Sequence, residues 1–312
     1  MSAITAANFP TPDLALRTTD PAQLARVRAF AVEQASAAEE TRARLATELP
    51  RSSTHAAKVA VLGDAYADLV RWRHRLALRA PGRLGQGLAL DASRFTKTIT
   101  EGGANYDRLG YLGRLRDGSV WESGTQTYRG GHDTPAHRLM LAYGQAVVDR
   151  FAHEHNTGDV LRNTVTLPGG DVVVGNSLVR GAAARQVAAV LMDRVTVRGH
   201  DTARFEIGGE PLYAVTAADD ARSTMYTAAV ALLAATGPHD VRSWQAARYL
   251  LFQAPLTKKG SDAVIRTFLV AVGALLFDRP PTLDHDVDLR CVVLGQEAAT
   301  TSPLDPVVVT AP

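Results

Sequence analysis

The chain is poor in cysteine, in lysine and in long apolar runs. Its 312 residues include one cysteine, Cys291, so no internal disulfide and no cysteine-built metal site can form. The most apolar stretch, TFLVAVGALLF from Thr267 to Phe277, is shorter than the roughly 20 residues a bilayer-spanning helix needs. No basic segment followed by an apolar one opens the chain, so no secretory signal is expected and a cytoplasmic location is the default. The net charge of +2 leaves no general basic footprint for nucleic acid. G-x-S-x-G, G-x-G-x-x-G and H-E-x-x-H are all absent.

What is present is a foldable composition. Apolar residues make up 46% of the chain, enough for a substantial core, and charged residues 21%, too few and too mixed for a disordered polymer. Four lysines stand against thirty arginines. A high-GC bacterial coding bias accounts for that scarcity. It does not account for two of the four, Lys258 and Lys259, standing side by side.

Periodicity divides the chain into an irregular segment over 1–18, a helical hairpin over 19–80, a main domain over 90–295 and a loose tail over 296–312. Asp20 caps the first helix and Pro21 suits its first turn, while Pro50 ends it. A second helix is expected from Thr54 to Ala80, with Val59, Leu62, Tyr66, Leu69 and Val70 inward. Further helices are expected over 135–154, 177–192, 219–235, 241–253 and 261–277. RFTKTIT from Arg94, VTVR from Val195 and ARFEI from Ala203 read as strands, as does the stretch around Cys291. Hairpins are expected to turn at Pro168-Gly169-Gly170 and at Gly208-Gly209. The fold class that follows is α+β: mostly helical, with short antiparallel hairpins packed on a helical core.

Three bends carry the candidate chemistry. In APLTKKGSDAVIR, Lys258 and Lys259 precede a helix expected to start at Ser261. Free amides, a glycine and the Ser261 hydroxyl there suit an anion. In TYRGGHDTPAHR, Arg129, His132, His137 and Arg138 gather around another helix start. There Arg129 and Arg138 suit an anion, and His132 a proton transfer near neutral pH. In SRFTKTITEGG, a strand would place Lys97 among apolar neighbours, where a lysine turns into a base, with Glu101 in the turn that follows.

Metal binding is not expected: His153 and His155 diverge on a helix, and Asp284, Asp286 and Asp288 read as a solvated acidic loop. No cofactor is expected. The function these features suggest is a biosynthetic enzyme acting on an anionic small molecule bearing phosphate, sulfate or carboxylate. It would work by group transfer, elimination or cyclisation. Arg129, Arg138, Lys258, Lys259 and Ser261 would hold the anion, and His132, Lys97 and Glu101 would move the proton. The alternative is an accessory protein, or a homo-oligomer, whose hairpin offers the basic run Arg71, Arg73, His74, Arg75 and Arg79 to an acidic partner. Neither nucleic acid nor membrane is an expected partner.

Overall fold

A computed structural model of the chain describes residues 2–79, 91–199 and 201–306, together with the backbone of two short strands, β1 (Arg83–Leu84) and β2 (Leu88–Ala89). Before these strands come α1 (Pro21–Glu48) and α2 (His55–Arg79). After them follow α3 (Ile99–Gly102), β3 (Tyr106–Leu109), β4 (Val120–Glu122), β5 (Thr127–Arg129) and α4 (Pro135–His153). The second half holds β6 (Val160–Thr166), β7 (Val172–Val179), α5 (Gly181–Val197), β8 (Leu212–Val215) and α6 (Asp219–Ala235). It closes with α7 (Val241–Gln253), α8 (Ser261–Leu276), α9 (Val287–Val293) and α10 (Gln296–Thr300). The class is α+β.

A helix that is apolar all round belongs at the centre of a protein. That is where α8 lies: every residue from Ala263 to Ala274 is buried. The apolar run is therefore a core helix, and among the described residues no helix is long and apolar enough to cross a membrane. The hairpin α1–α2 covers α8. Ala38 and Leu45 of α1 join Leu62, Tyr66 and Leu69 of α2 in one cluster with Trp244, Phe268 and Leu269. Tyr66 sits edge-on to Tyr226 at 5.3 Å and to Phe268 at 5.4 Å. The apolar side of the hairpin is thus buried against α6 and α8.

The four-stranded antiparallel sheet has the order β3-β8-β7-β6. Leu109, Leu161, Leu178 and Ala214 on one face pack on Met140, Val147 and Phe151 of α4 and on Val293 of α9. On the other face Val179 and Tyr213 meet Ala184 and Ala188 of α5. Helix α4 is seated by a backbone contact: a Cβ on Gly144 would lie 2.3 Å from the Cα of Gly110, just past β3. Neither side is a flexible side chain that could move away. Gly144→Ala should therefore cost about 1–3 kcal/mol, read as a lower midpoint in denaturant. An unchanged midpoint would show that α4 is not held on this strand end.

Several expectations are corrected. The stretch from Arg94 to Thr100 is not a strand: it forms a short 3-10 turn over Ala92–Phe95 and then α3. Thr98 and Glu101 make a reciprocal capping box, with Thr98 Oγ1 accepting the Glu101 amide and Glu101 accepting the Thr98 amide, both at 3.1 Å. VTVR belongs to α5, because Ala184, Ala188, Leu191 and Val195 keep the helical period running through it. That helix also starts later than expected, since residues 177–179 complete β7. ARFEI is irregular. It is tied down by the buried Glu206, whose carboxylate accepts the Gly113 amide and the Thr127 hydroxyl, each at 2.7 Å, and Arg114 at 3.1 Å. No hairpin turns at Gly208-Gly209; β8 pairs with β3 and β7 instead. Cys291 lies in a helix, though buried.

The segment from 296 is not loose as far as residue 306. Helix α10 is followed by Asp305, whose carboxylate lies against the Arg248 guanidinium, with side-chain exposures of 6% and 1%.

Candidate functional site

Two of the three cationic bends meet. The stretch from Arg94 to Ala104 runs alongside the turn from Leu256 to Lys259, laced by the main chain. Ile99 N donates to Leu256 O, Lys258 N to Lys97 O and Lys259 N to Arg94 O, each at 3.0 Å. Both segments then reach the edge of the sheet at β3, which carries Asp107.

The two lysines have different jobs there. Lys258 is a strut. Its ammonium donates to Gly103 O at 2.5 Å and to Ala104 O at 3.1 Å, and Arg194 of α5 donates to Ala104 O at 2.8 Å. The Gly102-Gly103 pair is required for this: a Cβ on Gly102 would lie 2.7 Å from Lys258 Cδ, and Gly103 has φ of 70°. Among the described residues Lys259 makes no side-chain hydrogen bond of this kind. It lies half-buried, within electrostatic reach of Arg94, Arg17, Arg198 and Arg73. Burial, and then those neighbouring guanidinium groups, lower its pKa to about 8. Lys258 is lowered to about 8 as well, first by burial and then by Arg194 and Arg94.

Asp107 is exposed to solvent, yet the protein around it desolvates its carboxylate enough to raise its pKa against the opposing pull of Lys258, Lys259 and Arg94. Arg17 is likewise exposed and likewise lowered, chiefly by desolvation. Both groups are reached by solvent and crowded by the protein around them. Among the described residues Arg17, Arg73, Arg94, Arg194, Arg198, Lys258 and Lys259 make no ion pair with a carboxylate. Arg73 is held instead over the rings of Phe95, at 4.4 Å, and Phe30, at 5.2 Å.

The remaining sequence candidates lie as follows. Lys97 and Glu101 are exposed on this segment; the Lys97 carbonyl, rather than its ammonium, meets the lysine turn, and Glu101 is a helix cap. Ser261 is the first residue of α8 and bonds back to Thr257, its hydroxyl 3.0 Å from the Thr257 hydroxyl. The third bend stays with the β4–β5 hairpin. Arg129 pairs with Glu122 at 2.7 Å, and His132 exchanges main-chain hydrogen bonds with Asp117. Arg138 is exposed on α4. None of these last three side chains joins the lysine turn by a hydrogen bond or ion pair among the described residues.

No protein-family model matches the chain, and no curated protein matches it significantly.

The charged residues around the lysine turn that sequence reasoning did not single out are Asp107, Arg17, Arg94, Arg194 and Arg198. Arg194 and Arg198 left a signal, since like charges four residues apart on a helix repel unless something compensates them. Asp107 left none beyond its place behind a Gly-Gly turn. Metal ligation finds no support in the geometry: among the described residues no three of His, Cys, Asp and Glu are gathered as ligands. Asp286 accepts from the Tyr143 hydroxyl at 2.7 Å and Asp288 from Arg266 at 3.1 Å, while burial raises the pKa of Asp284.

Proposed function

We propose that this chain is an enzyme that binds the anionic group of a small molecule at the cationic cluster beside β3 and acts on it by group transfer, elimination or cyclisation. One observation carries the reading. Lys259 stands within electrostatic reach of Arg94, Arg198, Arg17 and Arg73, beside a solvent-accessible Asp107, and among the described residues no carboxylate is paired to it. Crowding cations in a partly desolvated place is unfavourable unless an anion compensates them. In this reading Lys259, Arg94 and Arg198 hold the anion and stabilise charge that develops on a departing oxyanion. Asp107, whose raised pKa brings it nearer the working range of a proton carrier, takes or returns the proton. Lys258 positions the Gly103 turn.

Thermal unfolding tests this. A ligand at 100 times its Kd adds about 2.7 kcal/mol, a rise of roughly 5 °C for a chain of this size. One or more of phosphate, sulfate, nucleotides and sulfonucleotides should produce such a rise. Lys259→Ala should remove most of it while leaving the unliganded protein folded. Lys258→Ala should instead lower the melting temperature without ligand, because Gly103 O loses its side-chain donor and Ala104 O keeps only Arg194. If none of these anions raises the melting temperature, the reading fails.

A further inference from the structure

A cavity of about 490 Å³ lies between β7 and the start of α6, and no residue of the lysine turn lines it. Its place follows from the sheet. Helix α5 covers one face at Val179 and Tyr213. Ser177, two residues before Val179, belongs to that same face, as does its cross-strand partner Arg162. Here β7 bulges: Gly175 and Asn176 stand opposite Asn163 alone, between the pairs Arg162–Ser177 and Thr164–Val174. The bulge is held from behind, because the Asn176 amide donates to Gln253 Oε1 at 3.0 Å. A Cβ on Gly175 would lie 2.4 Å from that same oxygen. The volume falls in the range of small-molecule sites, roughly 300–1,000 Å³.

The lining favours one kind of guest. Val173, Val174 and Ala221 supply apolar wall. Two of the hydroxyls are already engaged: Thr216 accepts the Asn105 amide at 3.0 Å, and Thr224 donates to Asp220 O at 2.9 Å. Among the described residues the Arg162 guanidinium and the Ser177 hydroxyl make no hydrogen bond or ion pair. The Asp220 carboxylate accepts only the Ala221 amide, at 2.8 Å. One cation and one anion therefore border the same cavity from different walls, neither neutralised by a neighbour.

We infer that this cavity binds a small zwitterion with an apolar side chain, of the amino-acid or dipeptide kind. Its carboxylate meets Arg162, its ammonium meets Asp220, and its side chain lies on the valines. Asp220 opposes a plain anion there and Arg162 a plain cation. The inference does not rest on the anion-binding reading, and each can fail alone.

Titration followed by the amide resonances of Ser177, Thr216 and Ala221 tests it, at about pH 6.5, where an α-amino group is charged. Leucine or leucyl-leucine should move these resonances saturably. The N-acetyl derivative of the tighter binder lacks the ammonium, and its amide derivative lacks the carboxylate. Each should bind about fivefold or more weakly. Arg162→Gln should weaken the parent compound to the same degree and leave the amide derivative within about twofold. Asp220→Asn should weaken the parent and leave the N-acetyl derivative within about twofold. Both side chains are exposed, and the amide spectrum itself reports that each variant is folded. Equal affinity for the parent and its two singly charged derivatives would reduce the cavity to an apolar slot and overturn the inference. So would saturable shifts confined to other residues, or no shift with any of these compounds.

Discussion

Replacing Asp305 by alanine should lower the melting temperature by on the order of 10 °C. Arg248 is buried in α7, its guanidinium 5.2 Å over the Trp244 ring. It donates to both oxygens of Asp305 and, at 2.6 Å, to Thr300 O. Asp305 also accepts from Gln245 Nε2 and from the Ser302 amide, each at 2.7 Å. Removing one partner of a buried pair leaves the other charged and dry, which costs about 3–5 kcal/mol, and each kcal/mol moves the midpoint by roughly 2–4 °C. The double change Arg248→Met with Asp305→Ala should recover much of the loss, because no buried charge remains. A midpoint for Asp305→Ala within about 0.5 kcal/mol of wild type, the range of an ordinary surface substitution, would restore the expectation of a loose tail.

Sulfate affinity should fall as pH rises above about 8, by an amount approaching tenfold per pH unit. Lys259 titrates at about 8 in the free protein, and a bound anion stabilises the ammonium and so raises that value. Below pH 8 the lysine is charged with or without ligand, and affinity is flat. Above it the free protein has lost a proton that the complex retains, so binding takes up a proton and weakens with each further unit. Sulfate is the right probe because it does not itself titrate there. The unliganded protein should behave oppositely. Both lysines titrate at about 8 in the fold against 10.5 when unperturbed. Between those values the unfolded chain binds more protons, so these two groups make the protein more stable as pH rises through the window. Titration in buffers of different ionisation enthalpy measures the proton uptake. A flat profile in the wild type, or one that Lys259→Ala leaves unchanged, would take Lys259 out of the binding site.

The helices were the most legible part of the chain, because their signals are local. Asp20 and Pro21 start α1 as read, and α6 and α7 span the predicted residues. The hairpin at Pro168-Gly169-Gly170 was legible for the same reason. Short strands were not. Three or four alternating residues such as those from Arg94 or Val195 satisfy a period of two by chance, and longer-range facts decide their fate. The capping box at Thr98 and Glu101 was in the sequence but competed with that alternation.

At the site, the sequence singled out the lysine pair and the Glu101-Gly102-Gly103 turn as separate features. That they face each other follows from β3 and α8 being brought together by the sheet and the core, which no local pattern records. The grouping of Arg129 and His132 with them was a guess about space. The β4–β5 hairpin holds that bend on Glu122 and Asp117 instead.

Composition and local periodicity by themselves determined a helix-rich α+β chain with one strongly apolar helix and a paired lysine just before that helix's start. Tertiary structure alone decided that Arg17, Arg94 and Arg198, from three distant stretches, come within electrostatic reach of Lys259. The physical reason is that caps and amphipathic faces are set by residues a few positions apart. A charge cluster is set by which surfaces the buried core forces to meet.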